Sequence, residues 1–451
     1  MTKPLHLGWF LSGGFGPKSW RAEFGQPDPW SWGKGELVID LARAIERASF
    51  DYLMLEDSSS VPYTYQGRQD TYLRYAFATP KLEPSLLAAT IFRETTHLGV
   101  ISTLSTSEHH PFQLSRIVNT LDHLSGGRAG WNIVTGSNDS GAQNYGRDRH
   151  LPHDERYDQA DEFTDIVTRL WDSWDEDAVL FDREGEWFAD PAKVHPIDYE
   201  GKWFRSRGPL GAPRGPQGRP VICQAGGSAR GRTFAARWAE TIVGSASSIE
   251  KFKAFRDDVR RQAEGFGRDP DSIKVLFSLS PIVDETEQAA LLRRDLEIEY
   301  NRTHLDVRLA NLSRTSGIDF SQFELDQRLG KLESNGHQTL VAQYEGRTVR
   351  EIANSGRRNP ISGLDLVGTP KQVANRLAEI AERSGSDGFL FAADDINRKY
   401  VIEITEGLIP EMQRLGLARR RYTQTTLRGH LNEFRTENGA VDVAPRPVAA
   451  E

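Results

Sequence analysis

Short apolar runs alternate along this chain with longer stretches in which apolar positions recur every three or four residues, the pattern of a parallel sheet joined by crossover helices. Strands are predicted over residues 5–11, 50–55, 98–104 and 128–134, with helices over 36–48, 84–95, 111–124 and 154–174. Leu37, Val38, Leu41, Ala44, Ile45 and Ala48 share one face of the first helix; Phe163, Ile166, Val167, Leu170, Trp171 and Trp174 do the same in the fourth. From 175 to 217 the pattern breaks into acidic, Pro- and Gly-containing sequence, read as a long insertion. Strands over 219–225, 240–245 and 272–283 follow, with helices over 228–239 and 248–264. Residues 285–366 read as a second insertion, helical at first and irregular later. A helix over 369–383, opened by a Thr369 cap and Pro370, a strand over 387–392 and a helix over 400–415 complete the count.

Eight strand–helix units over about 420 residues predict an α/β protein of the (β/α)8 TIM-barrel class, with insertions after strands four and seven. The expected organisation is one barrel domain over 1–427 and a tail over 428–451. A doubly wound sheet would need a glycine-rich dinucleotide fingerprint after the first strand. Leu11-Ser-Gly-Gly-Phe-Gly16 comes nearest, but Pro17 and the Lys-Ser-Trp after it open a helix poorly.

Composition narrows the partners. The chain has 451 residues, 38% hydrophobic and 27% charged, which suits a folded globular protein. A net charge of -8 offers no basic face for nucleic acid. Cys223 is the only cysteine, so no intrachain disulfide can form. The opening Met-Thr-Lys-Pro-Leu-His has no signal-peptide core, and no run of about 18 apolar residues is present to cross a bilayer. A cytoplasmic protein with no membrane partner is expected.

In a (β/α)8 barrel, chemistry sits at the carboxyl ends of the strands. Asp57 follows strand two, Thr103 ends strand three, Asn132, Thr135, Ser137 and Asn138 mark the exit of strand four, and Gln224-Ala-Gly-Gly-Ser228 that of strand five. The last motif has the layout of a backbone phosphate cradle at a helix amino terminus, although Ser228 as a plain cap and the glycines as a plain turn fit it too. His153 and Tyr157 are four apart at the start of the strongest helix, so both can reach one ligand; an ordinary acidic first turn, with Asp154 and Glu155 facing the helix dipole, is the other reading. Glu108-His109-His110 lacks metal-ligand spacing, so no metal is expected; the histidines are instead candidates for acid–base work or for a solvated loop. The tyrosine-rich segment 63–77 suits a substrate wall or a subunit interface equally.

Gly126-Gly-Arg-Ala-Gly-Trp-Asn-Ile-Val-Thr135, His153-Asp-Glu-Arg-Tyr157 and Gln224-Ala-Gly-Gly-Ser228 together resemble the nitrilotriacetate, dibenzothiophene-sulfone and long-chain-alkane monooxygenase branch of the bacterial-luciferase-like superfamily. The likeness continues through Val367-Gly-Thr-Pro370, Asp387-Gly-Phe389 and Thr426-Leu-Arg-Gly-His-Leu431, from about residue 5 to about residue 427. It implies an enzyme that takes reduced FMN from a separate NAD(P)H:flavin reductase, reacts with O2 and oxygenates a small organic molecule. By matching motif, Asp57, Thr103, His153, Tyr157 and Ser228 are the implied flavin contacts, Asn132 lies beneath the ring, and Gly227 lets the backbone approach the phosphate. Where the alkane-oxidising relatives have a histidine just past the strand-four threonine, this chain reads Gly136-Ser137. Ser137 and Tyr63 are therefore the expected substrate-side residues. His109, His110 and Tyr63 are the candidates for proton transfer. The aromatic 63–77 segment favours an aromatic or heteroaromatic, xenobiotic-type substrate, and a homodimer or homotetramer is expected. A deazaflavin-dependent oxidoreductase and a non-catalytic flavin-binding barrel are the competing readings.

Overall fold

The computed structural model of the protein describes residues 3–11, 30–245, 248–336, 338–354, 366–392 and 397–434. Eight parallel strands close into a barrel in chain order. They are β1 (His6–Leu11), β2 (Tyr52–Leu55), β3 (Gly99–Ser105), β4 (Ala129–Val134), β5 (Val221–Gln224), β6 (Thr241–Gly244), β7 (Lys274–Leu279) and β8 (Gly388–Ala392). The ring closes where β1 pairs with β8, His6 opposite Gly388. Because side chains alternate across a strand, Tyr52, Met54, Ile101, Cys223, Leu276 and Leu390 fill the barrel, while Leu53, Val100, Trp131, Ile133 and Phe277 face the helices. Both faces are buried, which is why these strands read as apolar runs.

The outer layer is supplied by α1 (Glu36–Arg47), α2 (Pro84–Glu94), α3 (Pro111–Ser125), α4 (His153–Trp171), α5 (Ala229–Trp238), α6 (Ile249–Gly265) and α7 (Pro370–Ser384), together with the helical run after β8. The α7 start is a full capping box between Thr369 and Gln372. The strand expected over 272–283 stops at Leu279, because Pro281 has no N–H for the ladder; Ile282–Val283 pairs separately with Val367–Gly368. The helix expected over 400–415 begins at Arg398 and contains a π-helical stretch, Glu403–Leu408, before Ile409–Arg414. Pro410 explains it: proline removes a helical donor and crowds the preceding turn, and a widened turn relieves both.

Between α4 and β5 lie two hairpins, Val179–Asp182 with Trp187–Ala189 and Tyr199–Glu200 with Arg205–Ser206. Between β7 and β8 come helices Glu287–Thr303 and Leu305–Ser316. The second of these packs on the loop after β2. Tyr65, Tyr72, Tyr75 and Phe77 join Leu309, Ala310, Phe320 and Tyr344 in a hydrophobic cluster separate from the barrel core. The Tyr72 hydroxyl donates to the Ala310 carbonyl at 3.0 Å. These tyrosines thus form neither a substrate wall nor an exposed interface; they anchor the second insertion to the barrel.

At the opposite end, helix Leu427–Asn432 straddles the expected 427/428 boundary and seats Leu427 and Leu431 inside the barrel. Gly99 and Gly130 make room: a Cβ on Gly99 would lie 2.6 Å from Leu427. A buried polar group sits beside this plug. Asp51 accepts the Leu7 N–H at 2.7 Å, contacts His6 Nδ1 at 3.1 Å and pairs with Arg419, while His430 Nε2–H donates to the His97 carbonyl at 2.9 Å. Among the described residues no helix is long and apolar enough to cross a membrane.

Candidate active site

The floor of the barrel mouth is built by register. Thr103 on β3 lies opposite Asn132 on β4, both pointing inward and both buried. Asn132 Nδ2 donates to Thr103 Oγ1 at 2.9 Å, which fixes the amide and leaves its Oδ1 buried without a partner. An orphaned acceptor there is unusual, since buried polar groups are nearly always paired. Beside the floor, Asp57 follows β2. Burial pushes its carboxyl up to about 7; Lys81 opposes the shift, and Glu56 and Glu108 add to it. Lys81 is held by Glu56 at 2.5 Å and Ser58 at 3.1 Å, so its charge is largely spent there.

On the neighbouring strand β5, which pairs directly with β4 (Asn132 opposite Cys223), the β5–α5 turn forms a cradle. Ser228 caps α5 by accepting the Gly231 N–H at 3.0 Å, and Gln224 Oε1 accepts the Gly226 N–H at 2.6 Å. A Cβ on either Gly226 or Gly231 would lie 2.8 Å from the Tyr157 hydroxyl. Glycine at both positions lets the Tyr157 hydroxyl, the Ser228 hydroxyl and the amino terminus of α5 meet. His153 leans edge-on against Tyr157 with ring centroids 5.2 Å apart, and its Nδ1 lies 2.6 Å from Asp154 Oδ1. The Gly227 carbonyl accepts from Arg232 at 2.8 Å. Arg230 lies over the Tyr157 ring, but Asp158 and Asp161 hold its charge. The structure therefore brings together His153, Tyr157, Gly227 and Ser228 on one side, and Asp57, Thr103 and Asn132 on the other. Helix-end amides with two hydroxyls suit a phosphate. A neutral floor with a free acceptor suits a planar ring bearing N–H groups.

Residues 6–388 match the family model for luciferase-like monooxygenases. The chain belongs to that family. It is 37% identical over 443 residues to a dibenzothiophene-sulfone monooxygenase of Rhodococcus erythropolis strain XP, covering 95% of this chain and 96% of the relative. Nitrilotriacetate monooxygenase component A of Aminobacter aminovorans is 34% identical, with 97% and 98% covered. A solved riboflavin lyase, bound to modified FMN and riboflavin, superposes with a TM-score of 0.87 at 33% identity, with 96% of each chain covered.

In this luciferase-like monooxygenase the remaining candidates separate. His109 donates from Nδ1 to the Ser105 carbonyl at 2.9 Å, which places its half-buried ring at the end of β3. His110 is exposed: it caps α3 by accepting the Phe112 N–H at 3.2 Å, and its ring meets Phe204 edge-on. That ring is committed to the amino terminus of α3. Tyr63 is exposed and donates to Gln143 at 2.9 Å. Ser137 presents its carbonyl toward Gly336, where a Cβ would come within 3.2 Å. Among the described residues no group of His, Cys, Asp or Glu is placed to hold a metal ion. Two features escaped sequence reasoning. Lys81 is tied to the β2 exit across a loop, and His150 lies buried against Gly136. Neither is marked by any local spacing.

Proposed function

We propose that this enzyme is the oxygenating component of a two-component system, binding reduced FMN made by a separate NAD(P)H:flavin reductase and using O2 to oxygenate a small organic molecule. The observation that carries this reading is the convergence of the Tyr157 and Ser228 hydroxyls on the amino terminus of α5, at the exit of the strand paired with the one that carries the unpartnered amide oxygen of Asn132. The two-component assignment is favoured by the relative named as a component A. Reduced FMN, when bound, supplies two electrons, so that one oxygen atom of O2 passes to the substrate and the other leaves as water.

The chain's own contribution is binding, orientation and proton handling. Tyr157, Ser228 and the α5 amides hold the phosphate end. Thr103 orients Asn132 so that its amide oxygen accepts from the ring. Asp57, poised near neutral pH beside that floor, exchanges a proton at its carboxyl oxygen. The insertion anchored through Tyr72 covers the β2 side of the mouth and limits water there. Because Tyr65, Tyr72 and Tyr75 are spent in that anchor, they give no ground for an aromatic substrate, and the proposed class is a small organic molecule without that restriction.

Anaerobic titration with reduced FMN tests the reading. The enzyme should bind reduced FMN more tightly than oxidised FMN or a reduced deazaflavin, and Tyr157→Phe or Ser228→Ala should each weaken binding about tenfold. Preference for the deazaflavin, or no binding of reduced FMN, would sink it. Tight binding with no oxygenated product from any substrate in a reductase-coupled screen would leave a flavin carrier instead.

A further inference from the structure

Between the Asn132 floor and the Tyr157 cradle the chain runs through residues 135–152, and one buried side chain in that run has no partner in the fold. His150 is only 4% exposed, yet neither of its ring nitrogens makes a hydrogen bond. Its backbone is fixed, because its N–H donates to Asp139 Oδ1 at 2.9 Å. The Asn138 backbone faces the ring without closing a bond. The imidazole presses on the β4 exit: a Cβ on Gly136 would lie 2.3 Å from His150 Cε1, and Gly136 has φ +81°, a conformation that favours glycine. Arg156, the nearest cation, is turned away to the carbonyls of Leu151 and Asn335. Burial, and then Arg156, hold the ring below its usual pKa, with Asp139 opposing, so it is neutral and offers one N–H and one lone pair.

A buried donor and acceptor that both stay empty are costly to keep, and a leucine would fill the same space without that cost. The position suggests what fills them. β4, which carries the floor, runs out to Gly136 against the His150 ring, and α4, which carries Tyr157 of the cradle, begins three residues after His150; the segment that holds His150 thus borders both parts of a site whose strands β4 and β5 are directly paired. In FMN the part between ring and phosphate is the ribityl chain, whose hydroxyls each donate and accept.

We propose that His150 is a cofactor-contacting residue whose neutral imidazole hydrogen-bonds the ribityl hydroxyls of bound reduced FMN, with Gly136 giving it access. The inference rests on the FMN reading of the site. Its test uses the full chain labelled with [15N]histidine, titrated anaerobically with reduced FMN and, separately, with reduced riboflavin, which keeps the ribityl chain and lacks the phosphate. The His150 ring signals, assigned with His150→Asn, should shift on adding either ligand. His150→Leu should weaken both about fivefold, the equivalent of one ordinary hydrogen bond. Ser228→Ala should weaken FMN alone, and His150→Asn, which keeps a donor and an acceptor, should fall between parent and His150→Leu. Ring signals that stay fixed while the parent saturates with reduced FMN would overturn the proposal, as would a folded His150→Leu protein that binds both ligands like the parent. If His150→Leu does not fold, the shift in the parent decides. A parent that binds no reduced flavin at all would instead remove the FMN reading, and this inference with it.

Discussion

At the scale of single residues, the mouth of this barrel is made of groups held away from their ordinary behaviour. Asp57 shows the consequence for stability. Its carboxyl is raised to about 7 in the folded chain, chiefly by burial, against an ordinary value near 3.8. Between those values the folded state holds a proton that the unfolded state has lost, so this residue's contribution to stability falls as pH rises through the window. Asp57→Asn cannot ionise and escapes that loss. The variant should therefore gain stability relative to the parent as pH goes from about 4 to about 7, while losing turnover. Urea unfolding of both proteins at pH 5 and pH 8 checks this, and an equal difference at the two pH values would contradict it. The same scale shows what local sequence could indicate. Ser228 and Tyr157 were legible because caps and four-residue spacing are local rules. His150 was not, because its significance comes from Gly136, fourteen positions earlier, being small enough to admit its ring.

At the scale of elements, the second insertion depends on a few aromatic anchors. Tyr72 is fully buried on the short helix Asp70–Tyr75 and bonds the helix Leu305–Ser316 through Ala310. Tyr72→Ala should cost about 3–5 kcal/mol, the usual price of emptying an aromatic site. Because the cluster it serves is separate from the barrel core, the loss should be local. Limited proteolysis should cut first within 285–354, and amide exchange should stay slow in the barrel strands; uniform loss of protection would argue that the two cores unfold together. The barrel itself was readable from strand and helix periods, since each strand is apolar on both faces and each helix has a single apolar stripe. The place of Tyr65, Tyr72 and Tyr75 was not legible, because aromatic residues look alike whether they line a pocket or fill a second core, and only the long-range packing of 305–316 decides. The strand and helix ends moved at Pro281 and Pro410 for a simpler reason: a missing N–H ends a ladder or widens a turn however favourable the flanking residues are.

For the whole molecule, the proposed flavin site and the Leu427–Asn432 plug occupy opposite ends of the barrel, and the plug end should respond to acid. There Asp51 and Arg419 are buried as a pair, with His6 against Asp51, and His430 lies close to both Arg419 and His97. Burial, with Arg419 adding, lowers the His430 pKa to about 4; burial also lowers that of His6, although Asp51 opposes it. Both imidazoles are thus neutral in the folded state while free histidine titrates near 6.5. As pH falls below about 6.5 the unfolded chain takes up protons that the folded chain refuses, so stability drops by up to about 1.4 kcal/mol per pH unit for each such ring, down to about 4 for His430. Asp51, whose carboxyl is held below its usual range chiefly by Arg419 against the opposing effect of burial, adds a further loss only at lower pH, where it begins to protonate. His430→Gln can still donate to the His97 carbonyl but cannot titrate. It should leave stability at pH 7.5 close to the parent's and flatten the decline between pH 6.5 and 4.5, measured by denaturant midpoints at constant ionic strength. A variant with the parent's full slope would show that the His430 end of the plug does not set the acid limit, leaving His6 and Asp51 to account for it.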